Sequence, residues 1–161
     1  MIDSSAFVAP GAQIVGKVSI GPSSSIWFGS IVRADVDSIT IGQGCNIQDG
    51  SIVHVSHGFP VVLEDFVSVG HGAILHGCHI EEGALVGIGA IVLDGARVGR
   101  ETVIGAGSLV LENTVLPPRS LVLGHPARVI RELSSEEILK FRETANRYMG
   151  YIKRYRNQEW K

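Results

Sequence analysis

The chain has 161 residues, a formal net charge of -2 and two cysteines. This length suffices for one domain with a hydrophobic core, and the balanced charge argues against nucleic acid or an anionic membrane surface as a partner. Two cysteines do not make a disulfide framework. No apolar run approaches the ~20 residues of a membrane-spanning helix, and the N-terminus lacks the pattern of a secretory signal. We therefore expect a cytoplasmic protein.

Aliphatic residues recur with a period of six along most of the chain. The series is Val8, Ile14, Ile20, Ile26, Val32, Ile41, Ile47, Val53, Leu63, Val69, Leu75, Ile80, Val86, Val92, Val98, Ile104, Val110, Leu116 and Val122. A helix would show a period of 3.6 and a half-exposed strand a period of 2. A hexapeptide period instead indicates a parallel β-helix, with one short strand and one corner per repeat. Three hexads make one turn, and successive turns stack at roughly 4.8 Å.

The pattern resembles the left-handed β-helix of hexapeptide-repeat proteins, so we predict a mainly β fold. Residues 1–130 are assigned to this left-handed β-helix, and residues 131–161 to a C-terminal helix packing along the prism. Ser134 and Glu137 have the spacing of a capping box. Apolar residues follow at helical spacing: Ile138, Phe141, Ala145, Tyr148, Ile152 and Tyr155. This apolar stripe is expected to cover the prism, the alternative being a partner-binding stripe.

The six-residue count is broken at three places. Three extra residues lie between Val32 and Ile41, four lie between Val53 and Leu63, and one is missing between Leu75 and Ile80. We expect loops or distorted corners there, where function is often located.

Counting hexads rather than residues places several polar side chains in columns. Arg33, His54 and His76 each follow an inward aliphatic residue, one turn apart, so they form one outward column. Asp49 and His71 form a second column on another face. His54 and His76 can therefore approach one ion, whereas His71 lies around a corner.

A third imidazole must come within ~2.0–2.1 Å of a zinc ion held by His54 and His76. A neighbouring copy can supply His71 if the two faces pack together, and three copies then close a ring. The apolar residues Trp27, Phe28 and Ile88 would help to bury this interface. The remaining face is polar and is expected to meet water. Zinc is the predicted metal, with iron or cobalt also compatible with imidazole ligands.

Other candidates have plainer interpretations. Cys78 is either a fourth ligand or a small residue at a distorted corner, and we favour the second. His79 is interpreted as a surface residue, and His57 as a candidate proton shuttle in the Val53–Leu63 insertion. Arg33 and Asp35 form either a surface ion pair or a bridge between chains.

Four segments together resemble the gamma-class carbonic anhydrase family, over nearly the whole chain. They are "VRAD" at 32–35, "NIQDGSIVH" at 46–54, "VGHGAILHGC" at 69–78 and the ending "LGHPARVIREL". The resemblance implies a homotrimer with three interfacial sites and with His54, His71 and His76 as metal ligands. It further implies that Gln48 and Asn46 orient metal-bound hydroxide or substrate.

The resemblance also implies that Arg33, Asp35 and Asp49 organise the interface around the site, and that Tyr148 closes the pocket. The implied reaction is the reversible hydration of CO2 to bicarbonate, since a metal ion lowers the pKa of bound water to near 7. Well-characterised members carry an acidic insertion with a proton-shuttling glutamate. Here that loop is "VSHGFPVV", without a carboxylate, so proton release is expected to be slow or buffer-dependent.

Other functions are open on the same fold. A hexapeptide acyltransferase would use acetyl-CoA and a histidine base, although the chain has no long acceptor-binding loop and three stacked histidines exceed the need for one base. A metal-dependent thioesterase is a related option. The third alternative is a catalytically weak, metal-binding trimeric scaffold.

Overall fold

The computed structural model describes residues 1–160 as a stack of short strands followed by one helix. The strands are β1 (Phe7–Val8), β2 (Gln13–Ile20), β3 (Ser25–Ile26), β4 (Ile31–Ile41), β5 (Asn46–Ile47), β6 (Ile52–His54), β7 (Val61–Leu63), β8 (Ser68–Val69), β9 (Ile74–His76), β10 (His79–Ile80), β11 (Leu85–Val86), β12 (Ile91–Val92), β13 (Arg97–Val98), β14 (Val103–Ile104), β15 (Leu109–Val110), β16 (Val115–Leu116), β17 (Ser120–Gly124) and β18 (Ala127–Glu132). The helix is α1 (Ser135–Arg156).

The strands stack in parallel and form three faces. The helix face is the eight-stranded sheet that runs from β1 to β18. The ten-stranded sheet has two flanks. The histidine face comprises residues 13–16 and 31–34 with β6, β9, β12 and β15, and the charged face comprises residues 18–20 and 39–41 with β7, β10, β13 and β16.

The register of the strands confirms the predicted β-helix. Leu85 lies opposite Val103, 18 residues later, on the helix face, and Ile91 lies opposite Leu109 on the histidine face. The only antiparallel pair among the named strands of residues 1–160 is β17 with β18, which ends the stack.

The aliphatic series fills the interior of the prism. From Ile20 to Val122 every member is at most 4 % exposed. Val8 and Ile14 differ, because Val8 is 39 % exposed and Ile14 is only partly buried. Both belong to the first turn, which has no complete turn beneath it to cover them. Their predicted place in the interior is therefore wrong for Val8 and only partly right for Ile14.

The three irregularities have different outcomes. The segment with three extra residues is the predicted distorted corner rather than a loop, because β4 continues through it and the register with β2 shifts between Gly16 and Val18. Residues 55–60 do form a loop, closed by a bridge between Ser56 and Phe59. The missing residue gives a tight corner at Gly77, whose φ of +51° lies in the left-handed region.

The helix begins at the predicted capping box. Ser134 Oγ accepts a hydrogen bond from Glu137 N, and the Glu137 carboxylate accepts one from Ser134 N. The buried face of α1 covers the helix face, where Ile138 packs in one cluster with Val103. Within residues 1–160, no helix combines the length and apolarity required to cross a membrane.

The aromatic residues near the end of α1 enclose Trp27. The ring centroids of Tyr148 and Tyr155 each lie 5.3 Å from the Trp27 ring. Trp27 is only 3 % exposed within one chain. The prediction that it helps to bury a subunit interface is therefore wrong, whereas Ile88 is 59 % exposed and free to do so.

Candidate metal centre

His54 and His76 face each other on adjacent strands of the histidine face. Arg33 lies opposite His54 in β4 and β6, and His54 lies opposite His76 in β6 and β9. The predicted outward column is thus formed. The Nδ1 atom of His54 lies 3.0 Å from Nε2 of His76, and both side chains remain partly accessible.

The other nitrogen of each ring contacts a carboxylate. His54 Nε2 lies 3.1 Å from Asp35 Oδ1, and His76 Nδ1 lies 2.5 Å from Asp94 Oδ1. If each ring donates its N–H to its aspartate, the two facing nitrogens both present lone pairs. Lone pairs at this distance repel unless a cation lies between them, and the arrangement of carboxylate, imidazole and metal is common at metal sites.

The donor set of the pair fits a divalent metal ion. Two imidazole nitrogens bound to tetrahedral zinc at 2.0–2.1 Å are about 3.3 Å apart. The observed 3.0 Å between His54 and His76 requires little adjustment to reach that separation.

Asp35 links the pair to Arg33. The Asp35 carboxylate accepts hydrogen bonds from the Arg33 guanidinium and from His54. Desolvation alone would raise the pKa of Asp35, but the hydrogen bond from His54 and the charge of Arg33 outweigh it and lower that pKa. Of the two interpretations of Arg33 and Asp35, the single chain forms the local ion pair.

His71 lies at the corner that precedes β9. Its Nδ1 atom is 3.0 Å from Asp49 Oδ2, so the predicted second column is present. Its Nε2 atom is 3.5 Å from the hydroxyl of Tyr148 on α1. Burial and the nearby Asp49 carboxylate raise the pKa of Tyr148 to about 12, so this phenol keeps its proton at neutral pH.

One chain does not bring His71 to the histidine pair. His71 lies before β9, whereas His76 is the last residue of that strand. Five residues of extended chain span up to about 16 Å. Within residues 1–160, no group of three His, Cys, Asp or Glu side chains has the geometry of a metal site.

Gln48 and Asn46 form a buried polar chain on the helix face. Gln48 Nε2 donates to Asn46 Oδ1 at 3.0 Å, and Asn46 Nδ2 donates to Ser68 Oγ at 2.8 Å. These bonds fix the orientation of the Gln48 amide. Gln48 also lines a mainly apolar cavity of about 290 Å³, together with Ile88 and Thr144.

An aliphatic ladder runs along the outside of the histidine face. It consists of Ile31, Ile52, Ile74, Ile91 and Leu109, which are opposite one another on successive strands. Ile31 and Ile52 are 37 % and 38 % exposed. This ladder was not among the predicted features, although each member directly precedes an inward aliphatic residue and could have been found by the same hexad count.

The remaining histidine and cysteine candidates lie apart from the pair. Cys78 points into the core, where burial raises the pKa of its thiol to about 12, so it does not serve as a fourth ligand. His79 is partly exposed, in keeping with its interpretation as a surface residue, and its Nε2 atom lies 2.8 Å from Glu64 Oε1. His57 is exposed in the loop and shares a cavity of about 490 Å³ with Asp35.

Asp94 is the residue at the site that the sequence analysis missed. It comes from a regular repeat that carries no histidine. The hexad count stacks Leu93 on His76, and Asp94 follows directly. The signal that could have revealed Asp94 is a carboxylate one position beyond the residue that stacks on a histidine.

Comparison with known proteins agrees with this architecture. The hexapeptide family described as "Bacterial transferase hexapeptide (six repeats)" matches residues 77–112. A solved structure of a hexapeptide transferase family protein from Anaplasma phagocytophilum has a TM-score of 0.92 and 40 % identity, over 96 % of this chain and 91 % of that one.

Sequence relatives specify the family further. A Methanocaldococcus jannaschii protein named "Probable carbonic anhydrase" is 58 % identical over 92 % of this chain and 94 % of its own length. The mitochondrial gamma carbonic anhydrase 1 of Arabidopsis thaliana is 42 % identical over 92 % of this chain, which spans 56 % of the plant protein. The chain belongs to the gamma-class carbonic anhydrase family.

Proposed function

We propose that the protein hydrates CO2 reversibly to bicarbonate at a divalent metal held between subunits of a homotrimer. The observation that carries this proposal is the pairing of His54 with His76, in which each ring also contacts an aspartate and the two remaining nitrogens are 3.0 Å apart. The relatives named as carbonic anhydrases support it at the level of the family.

His54 and His76 of one copy and His71 of another would hold the metal. Zinc is the default, and iron or cobalt also suits three neutral imidazoles. When bound, such an ion lowers the pKa of a water ligand to near 7 and so supplies a nucleophile at neutral pH. Asp35, Asp94 and Asp49 each hold the other nitrogen of one ring, which keeps the ligating nitrogens deprotonated.

The aliphatic ladder supports an assembly of copies through the histidine face. It flanks the histidine pair and leaves several isoleucines partly exposed in one chain. Contiguous exposed apolar surface of this kind marks interaction sites. Ile88 is 59 % exposed beside the Asp49–His71 column, so it extends the apolar surface on the side that would contribute His71.

Gln48 would orient the reactants from the subunit that supplies His71. Its Nε2 is engaged by Asn46, so its Oε1 is directed for accepting a hydrogen bond from the nucleophile. The adjacent apolar cavity of about 290 Å³ suits a small, neutral molecule such as CO2. Tyr148, whose hydroxyl lies 3.5 Å from His71 Nε2, limits access to this corner.

Proton release is the step for which this chain offers the fewest suitable groups. The residue 55–60 loop carries His57 but no carboxylate. His57 lies in the same cavity as Asp35, which contacts His54. We expect turnover to rise with buffer concentration, because solution bases then accept the proton.

An acyltransferase is the second candidate, favoured by the likeness to a solved hexapeptide transferase family protein. It requires CoA binding and no metal. A metal-dependent thioesterase would need the same metal centre but a different substrate, and a trimeric scaffold would bind metal without changing the rate of CO2 hydration.

The decisive experiment compares metal content and stopped-flow CO2 hydration in the wild type, His76→Ala and the control His79→Ala. We expect one metal per chain and activity in the wild type and the control, and loss of both in His76→Ala. Equal metal in wild type and His76→Ala would refute the assignment. A metal-free wild type that binds CoA would favour the transferase.

Mixing two inactive variants tests the shared site. If His71 comes from a neighbouring copy, trimers refolded from His71→Ala and His76→Ala chains contain some interfaces with all three wild-type ligands. We expect activity to return to a fraction of the wild-type value. No recovery, in mixtures shown by mass spectrometry to contain both chains, would place all three ligands on one chain.

A further inference from the structure

We propose that Asp94 is a positioning residue that fixes the tautomer of His76, and that Gly77 is required because a side chain there would block this contact. The inference rests on the function proposed above only in taking His76 as a metal ligand. Neither Asp94 nor Gly77 is itself proposed to be a metal ligand.

The first observation is the path of the Asp94 side chain. Gly95 N donates to Gly77 O at 2.8 Å, so the backbone around Asp94 stacks on the corner at Gly77. From there the carboxylate leans back to His76, with Oδ1 at 2.5 Å from Nδ1. The two side chains are 25 % and 31 % exposed, so water screens the contact only in part.

The second observation is the space at Gly77. A Cβ atom at this position would lie 2.3 Å from Asp94 Oδ1 and 2.8 Å from Phe59 Cβ. Both separations are shorter than real side chains tolerate. Because Phe59 closes the other side, an added methyl group must displace the Asp94 carboxylate from His76.

The contact decides which nitrogen of His76 carries the proton. With Nδ1–H donated to Asp94, Nε2 keeps its lone pair and points at His54. Without Asp94, the neutral ring can place its proton on Nε2, which then cannot ligate a metal. Loss of such a carboxylate partner weakens metal affinity about 10- to 100-fold.

The chain contains a matched control at another corner. Gly44 also has a positive φ, of +64°, and a Cβ atom there would lie 2.7 Å from Phe66 Cδ1. This corner repeats the crowding at Gly77, but the crowded side chain is a phenylalanine rather than the partner of a histidine. Gly44→Ala therefore reproduces the steric and backbone cost at a position that is not adjacent to Asp94 or His76.

The test measures zinc affinity by competition with a chromophoric chelator in the wild type, Asp94→Asn, Gly77→Ala and Gly44→Ala. We expect affinity to fall about 10- to 100-fold in Asp94→Asn and Gly77→Ala, and to change less than about twofold in Gly44→Ala. Wild-type affinity in Asp94→Asn would overturn the proposal, as would an equal loss in all three variants. If Gly77→Ala does not fold, Asp94→Asn alone decides the outcome.

A second readout is independent of metal and activity. Nitrogen NMR of the metal-free protein, at a pH above the imidazole range, reports the tautomer of each histidine. We expect the Nδ1–H form for His76 in the wild type and an increased Nε2–H population in Asp94→Asn. An Nε2–H wild type would overturn the inference while leaving the metal-binding assignment of His76, tested by His76→Ala, intact.

Discussion

Residues 31–80 and residues 81–122 are built from the same six-residue repeat, but they differ in regularity and in histidine content. We refer to them as the irregular and the regular segment. The irregular segment contains all three breaks in the six-residue count and five histidines: His54, His57, His71, His76 and His79. The regular segment contains no histidine. Both bury their aliphatic series equally, with Leu75 and Ile104 each 0 % exposed.

The difference shows that inward residues, which form the core, and outward residues, which form the site, respond differently to a change in repeat length. An inserted or missing residue at a corner leaves the next inward aliphatic residue in place, because the strand registers resume beyond it. Outward side chains near the corner change their direction instead. Asp35, within the extra residues, reaches His54, and the short corner at Gly77 lets Asp94 reach His76.

The largest effect is expected from a substitution on the outer surface of the irregular segment, with the regular segment as the control. Ile52→Lys places a charge in the aliphatic ladder, so we expect the proposed trimer not to form and the proposed metal not to bind, because burying an unpaired charge is costly. Light scattering coupled to size-exclusion chromatography measures the mass. The control is Val115→Lys, at a residue 72 % exposed on the charged face, which should leave the mass unchanged. An intact Ile52→Lys assembly would exclude the histidine face as the interface.

Next in size is the test of the shared core. Leu75→Ala beneath the histidine pair and Ile104→Ala in the regular segment should each lower the free energy of unfolding by about 2–5 kcal/mol. Denaturant unfolding at one fixed protein concentration measures both, since association contributes to apparent stability. A loss at Leu75 below about 1 kcal/mol would mean that the irregular segment is less tightly packed than its burial implies.

A smaller effect is expected at the start of α1, which lies over the regular segment. Ser134→Ala removes the N-cap and should cost about 1 kcal/mol of unfolding free energy. The control is the adjacent Ser135→Ala, whose hydroxyl accepts only a long hydrogen bond of 3.3 Å from Arg119. Equal losses in the two variants would show that the cap itself does not contribute.

The smallest effect is a pH dependence at the same cap. The hydrogen bonds from Arg131, with that from Ser134 N, lower the pKa of Glu137 from 4.5 to about 2. The lowered pKa means that this stabilisation is fully present above about pH 4.5 and is lost as the pH falls toward 2. Unfolding measured across this range should depend less on pH in Glu137→Gln, and an identical pH dependence in both proteins would contradict the assignment.

Much of the fold could be predicted because each inward position demands an aliphatic residue. The period, the 18-residue register and the capping box at Ser134 all follow from local residue types. Exposure at Val8 could not be derived from the period, since it depends on where the stack ends. The choice between a loop and a distorted corner at β4 could not be made from the sequence, because a corner that bulges without breaking its strand has the same residue count as a loop.

For the site, the sequence was sufficient to predict which residues stack in the same column. Stacking His54 on His76 and Asp49 on His71 required only the count of hexads. The enclosure of Trp27 depends on how α1 docks, which the sequence of the repeat does not encode. The contact of Asp94 with His76 could not be predicted in this way, because Asp94 lies one position beyond the residue that stacks on His76. Counting hexads identifies only side chains that lie directly above one another.

The reversal of the chain at β18 has a consequence for colloidal behaviour. A solenoid whose last turn exposed unpaired backbone groups would be a template on which further chains could add end to end. On the helix face, β18 occupies that edge in the antiparallel sense and carries Arg128, Arg131 and Glu132. Addition of a further parallel strand to the helix face at the C-terminal end is thereby blocked, which removes one of the three edges through which filaments could grow.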